Sequence, residues 1–368
     1  MGGARRGGMM AVALVGAVIA GCDQVDDLLR EIGKHRGGGG DDGGGPDAGG
    51  TPVTCRATAS PGSWTAIPSG TTVDVRSVWA AAPSDAWAVA AESFGTLLRW
   101  NGTAWTPADP PPAELRLARV WGASRDAVLV SGRHYSLWNG TSWSDVTPPT
   151  SALGGALLWG LAADDVWSQI DGAVSHWNGT VWTPTPAASG LQLFARGVWG
   201  SAANDVWLVG EYAASTPFSA IQHWDGTAWT AVLGFPGAIG TVRSEDGVIF
   251  GVWGTSASDV WAAGASAAGP IWHFDGSSWS HVATPPLSGV LNAVWGACPN
   301  DVWAVGERPP VNQGGVVSSG GVLWHFDGQS WSEVSISGLP PLFAVEGTGP
   351  DDVWIGGLDG TIYHHGIH

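Results

Sequence analysis

The stretch VWGSAANDVWLVG, Val198 to Gly210, followed after an unrepeated segment by IQHWDGTAWT, Ile221 to Thr230, decides how this chain folds, because the chain is built of its copies. The first half recurs as Val78-Trp79 with Asp85-Ala86-Trp87, Val120-Trp121 with Asp126-Ala127-Val128, and Leu158-Trp159 with Asp165-Val166-Trp167. It recurs again as Val252-Trp253 with Asp259-Val260-Trp261 and Val294-Trp295 with Asp301-Val302-Trp303, and more weakly as Val345-Glu346 with Asp352-Val353-Trp354. The second half recurs as Trp100-Asn101-Gly102 with Trp105, Trp138-Asn139-Gly140 with Trp143, and Trp177-Asn178-Gly179 with Trp182. Phe274-Asp275-Gly276 with Trp279 and Phe326-Asp327-Gly328 with Trp331 complete the set.

Each unit of roughly 38–54 residues holds four short apolar-alternating runs, which predict four strands, A to D. The Asn-Gly or Asp-Gly between C and D is a strong two-residue hairpin signal. Four antiparallel strands per unit, with no helical periodicity, predict an all-β, seven-bladed β-propeller over residues 51–368. The seventh unit stops after strand C, at Ile362 to Gly366. The run Gly62 to Pro68 reads as the missing strand D, and pairing it into the last blade would close the ring and protect its edges.

With these motifs in view, the units resemble a kelch-type repeat across residues 62–366, and similar Trp-rich units recur in bacterial surface lipoproteins. The double glycine of kelch repeats stands after strand B only at Gly356-Gly357. The Asp-Gly-x-x-Trp spacing is one residue short of the Asp-box of sialidases.

The composition suits a domain with a large aromatic core: 25 Trp, 57 Gly and only 13% charged residues in 368. At the N-terminus, Arg5 and Arg6 precede an apolar run, Met9 to Gly21, that is too short to span a bilayer comfortably. The run ends in Ile19-Ala20-Gly21-Cys22, which resembles a lipobox. Residues 1–21 are expected to be a lipoprotein signal peptide and Cys22 the lipidated residue, the alternative being an ordinary signal peptide with an incidental cysteine. Residues 22–50 read as a Gly-rich tether. The formal net charge is −17, and losing residues 1–21 removes two Arg and no acid. Such a surface excludes nucleic acid as a partner.

In a propeller the A–B and C–D turns share one face and the B–C and D–A loops the other. Here the first set is uniform and the second varies in length and composition, so binding is expected on the variable face. The candidate binding residues there are Arg116, Arg119, Arg133, His134, Tyr135, Glu211, Tyr212, Arg243, Glu245, Asp246, Glu307 and Arg308. Because strand D runs toward the variable face, the tether enters from the uniform face and leaves the variable face pointing away from the membrane. Cys55 and Cys298 fall on the uniform face of neighbouring blades, either as a disulfide or as two free thiols.

The His residues of strand C (His176, His223, His273, His325, His364) are spread one per blade and cannot converge on a metal. The recurrent Asp residues are expected to bond backbone N–H groups in their own turns rather than calcium. Asn101, Asn139 and Asn178 match glycosylation sequons but read as turn residues, and the Trp residues as framework. No metal, cofactor or catalytic residue is assigned. The expected function is a membrane-anchored, monomeric, extracytoplasmic binding module for an envelope protein or a glycan. The alternative is an extracytoplasmic enzyme, either a kelch-like oxidase or a sialidase-like hydrolase using Arg119, Arg133, Arg196 and Tyr135.

Overall fold

The computed structural model describes residues 63–366 apart from 92–94, 109–115, 149–154, 156, 187, 189–192, 213–217, 234–246, 267 and 314–315. The signal and tether segments, Cys22, Cys55, Arg243, Glu245 and Asp246 lie outside the described residues. Seven four-stranded antiparallel sheets form the ring. Their innermost strands A are Val75–Ala82, Arg119–Ser124, Leu158–Ala162, Leu193–Ala202, Val248–Ser256, Val290–Cys298 and Leu342–Gly349 in blades 1 to 7. The ring closes as expected: Trp64–Ala66 is strand D of blade 7, with Trp64 opposite His365 and Ala66 opposite Tyr363 of strand C. Blade 6 adds a two-stranded hairpin, Val311–Gln313 with Val316–Ser318, in its B–C loop.

The blades are held together by aromatic packing across each seam. The strand B Trp of one blade meets the strand D Trp of the next edge to face, as in Trp87 with Trp143, Trp167 with Trp229, Trp207 with Trp279, Trp261 with Trp331 and Trp354 with Trp105. Trp303 of blade 6 makes the same contact, at 5.1 Å, with Trp64 of the closing strand. Such pairs stabilise by about 0.5–1.5 kcal/mol each beyond their buried area.

Strand C carries a second repeated device. His176, His223, His273, His325 and His364 lie 2.6–2.8 Å from the strand B carboxylates of Asp165, Asp205, Asp259, Asp301 and Asp352. Each imidazole also packs on the strand B Trp of its own blade, most closely His364 on Trp354 at 4.0 Å. In blade 1, Arg99 replaces the His and grips Asp85 through two hydrogen bonds of 3.0 Å. The Asp carboxylates therefore do more than brace their own turns: they bond strand C and accept from the Ser201, Thr255 and Thr348 hydroxyls, with the Ser201 amide also on Asp205. Asp126 is not part of the series. The turn of blade 2 is as long as the others but carries its Asp one position early, so Ala127 pairs where the other blades carry Asp, and Leu129 stands opposite Trp121 in the place of the strand B Trp.

The six C–D turns behave as read. The Oδ1 of Asn101, Asn139, Asn178, Asp225, Asp275 or Asp327 accepts from the amides two and three residues on. The following glycines take φ of 88–94°, a conformation that requires glycine or a comparably tolerant residue.

Candidate functional site

The strands A enclose a central channel with a cavity of about 240 Å³. Two rings of side chains give it its chemistry. The deeper ring is the repeated Trp column: Trp79, Trp121, Trp159, Trp199, Trp253 and Trp295, with Glu346 in the seventh position. Five of the six indoles lie across the seams, each over the glycine that follows the channel residue of the next blade. A Cβ on Gly122, Gly160, Gly254, Gly296 or Gly347 would stand 2.5–3.0 Å from the indole tip of Trp79, Trp121, Trp199, Trp253 or Trp295. Blade 7 offers no indole, and blade 1, which follows it in the ring, has Ala80 in place of glycine.

The outer ring lies two and three residues earlier, toward the variable face. Strand A bulges there in five blades, at Arg76, Arg196, Phe250, Asn292 and Phe343. A bulged residue is released from regular alternation and its side chain re-aimed. Arg119, one residue further along in blade 2, joins Arg76 and Arg196 at the channel wall. Arg76 pairs with Asp74 at 2.6 Å and lies 3.7 Å over the ring of Phe343. Arg196 pairs with Glu211 at 2.6 Å. Arg119 donates to the Ala118 carbonyl at 3.0 Å and, among the described residues, has no carboxylate partner. Burial first, then repulsion from Arg76 and Arg196, lowers its pKa to about 10. It remains charged at neutral pH, so the mouth presents one uncompensated guanidinium between two compensated ones.

The other candidate residues divide. Glu211 belongs to the mouth through Arg196. Arg116 and Arg133 are exposed, and His134 is half-buried at the start of the same loop. Arg308 is tied to Glu333 by two bonds of 2.8 Å and to the Gly321 carbonyl, which makes it a strut between strands, with Glu307 half-buried beside it. Tyr135 and Tyr212 are corrections, for both are fully buried. Tyr135 stacks on Trp182 of blade 3 at 4.9 Å, supplying the aromatic contact that Leu129 cannot. Its hydroxyl bonds Ser168 and accepts from the Gly155 amide, and burial raises its pKa to about 12. Tyr212 accepts from Gln222 Nε2 at 2.7 Å inside blade 4.

The expectation that every Trp is framework needs the same revision, since Trp121, Trp159 and Trp253 are only half-buried and line the channel. Arg76, Phe250, Asn292, Phe343 and Glu346 were not singled out by the sequence reading. The signal for Glu346 was present in the seventh copy, as the one departure from Trp in its column. Cys298 ends strand A of blade 6 and is disulfide-bonded. Among the described residues, no three His, Cys, Asp or Glu side chains are placed to hold a metal ion, and no helix is long and apolar enough to cross a membrane.

No protein-family model matches the chain, and no curated protein matches it by sequence. Solved propellers match it in structure. Ycf48 bound to a D1 peptide superposes with a TM-score of 0.61 at 17% identity, over 86% of this chain and all of that one. Virginiamycin B lyase from Staphylococcus aureus superposes with 0.62 at 9% identity, over 83% of this chain and 99% of the lyase. The WD40 propeller domain of Doa1 gives 0.56 at 14% identity, over 82% and 96%. At these identities the likeness shows the fold alone, and the fold serves both binding proteins and enzymes.

Proposed function

We propose that this chain is a membrane-anchored, extracytoplasmic binding module that takes an acidic segment of a protein partner at the arginine-lined mouth of its channel. The observation that carries this reading is Arg119, a half-buried guanidinium at the channel wall, flanked by Arg76 and Arg196 and, among the described residues, lacking an acid of its own. A carboxylate is the group such a donor fork accepts best. Phe194, 44% exposed on strand A of blade 4, adds an apolar contact beside Glu211, its cross-strand neighbour. The placement agrees with an anchor at Cys22. Trp64 enters the ring opposite His365, at the end of strand C that leads to the uniform face, so a tether leaves the arginine mouth directed outward. The fold's record supports a protein partner, since Ycf48 is seen with a peptide bound. The hydrolase alternative loses its groups: Arg133 is exposed and the hydroxyl of Tyr135 is consumed inside the blade seam.

Peptide arrays probed with the purified chain should favour sequences with clustered or C-terminal carboxylates. Arg119→Gln should weaken the best of them about tenfold or more, as loss of a buried charged contact does. Binding unchanged in Arg119→Gln, or selectivity for neutral glycans on a glycan array, would overturn the reading.

A further inference from the structure

Glu346 is not explained by a peptide-binding mouth. Strand positions rise about 3.3 Å per residue, so the Trp column lies roughly 10 Å along the strand from the bulged arginines. Glu346 lines the channel at that deeper level, in the column otherwise filled by indoles, and among the described residues it has no hydrogen-bond or ion-pair partner. Desolvation alone pushes its pKa up to about 8. A solitary carboxyl in that position costs the fold stability, and Trp, the residue of the other six copies, would have spared it.

The neighbouring blade shows that the exchange is built into the ring. Glycine follows the channel Trp in blades 2 to 6, and in blades 2, 3, 5 and 6 the previous blade's indole takes the space, whereas Ala80 stands only where Glu346 replaces that indole. Gly347, beside Glu346, carries the tip of Trp295 at 2.8 Å from where a Cβ would lie, and Trp79 adjoins Ala80 on the other side. Glu346 thus holds one position of a channel ring whose six others are indoles, with the tip of Trp295 beside its own strand at Gly347.

We infer that this ring is a binding site for a small organic ammonium ion, held by the Glu346 carboxylate and by indoles of the same channel ring. The chemistry selects that class. A hard metal ion takes six or more oxygens, and one carboxylate supplies two at most. An anion would be repelled, and a neutral apolar molecule would leave the carboxyl without a partner. An alkylated or protonated amine satisfies both components, since Trp is the best of the aromatic cation acceptors. Binding a cation stabilises the ionised carboxylate and so removes the cost that its isolation imposes.

Tetramethylammonium is the direct probe. Saturation-transfer NMR on its methyl protons, with the purified chain at pH 9 and matched sodium chloride as the competitor, reads occupancy. The expected result is transfer that sodium does not abolish and that falls at least tenfold in Glu346→Gln. A second variant, Glu346→Trp with Ala80→Gly, restores the repeated indole-on-glycine pair, should fold at least as well as the parent, and should bind no probe. Absence of transfer in the parent, displacement by equimolar sodium, or equal transfer in either folded variant would overturn the inference. Arg119→Gln leaves this site intact, so failure at the mouth and failure in the ring are separable.

Discussion

The indole of Trp79 lies across the seam on Gly122 of the next blade, its tip 2.5 Å from where a Cβ would stand. The Val-Trp-Gly triplet is therefore a contact between neighbours in the ring, with the Trp of one unit requiring the Gly of the next. Gly122→Ala should force the indole or the strand to shift and cost about 1–3 kcal/mol, the range for overpacking a filled site. Urea denaturation checks this, with Ala80→Gly as the contrast: it faces no indole from blade 7 and should cost less.

How far the sequence carried the fold follows from the same contact. Positions that meet a like neighbour in blade after blade are repeated, so the Trp columns, the hairpin turns and the closing strand at Trp64 could all be read from the chain. The mouth could not be read that way, because Arg76, Arg119 and Arg196 come from non-equivalent or bulged positions that only the ring brings together. Tyr135 and Tyr212 misled for a physical reason. They sit at strand ends beside variable loops, where polar tips suggest exposure, yet each fills a hole within or between blades and bonds its hydroxyl there.

The C–D turns provide a pH test. Hydrogen bonds from the Thr227 and Ala228 amides and the Thr227 hydroxyl hold the Asp225 carboxyl down to about 2, and the equivalent groups of Ser277 and Ser278 do the same for Asp275. A depressed carboxyl contributes stability above its unfolded pKa of about 3.9, and that contribution is lost as pH falls through about 2. Blades 1 to 3 make the same turn with Asn, which does not titrate. Asp225→Asn with Asp275→Asn should therefore flatten the fall in melting temperature between pH 4 and 2, while leaving the fold unchanged by circular dichroism.

The His–Asp pairs should differ in weight according to burial. His364 and Asp352 are 3% and 5% exposed, whereas His176 and Asp165 are 30% and 18% exposed. His364→Ala leaves a buried carboxylate with only Thr348 and the Trp354 Nε1 as partners and opens space against Trp354. A loss of about 2–4 kcal/mol is expected. His176→Ala, in a wetter setting, should cost about 1 kcal/mol or less. Equal losses in chemical denaturation would show that stacking on the strand B Trp, common to both, governs instead.

Cys298 ends strand A of blade 6, one seam away from the blade that the N-terminal strand completes. It is disulfide-bonded, and the partner we propose is Cys55, which precedes the closing strand, Cys22 being the proposed lipid anchor. Such a bond would pin the start of Trp64–Ala66 to the neighbouring blade, so that the ring could not open at the closing strand without pulling against a covalent link. Its loop spans most of the chain, the case in which cross-linking restricts the unfolded state most. Non-reducing peptide mapping should recover one Cys55–Cys298 species. Cys55→Ser should lower stability by about 2–5 kcal/mol and make the closing strand the first to exchange its amide hydrogens. Recovery of both thiols free from unreduced protein would dismiss the pairing.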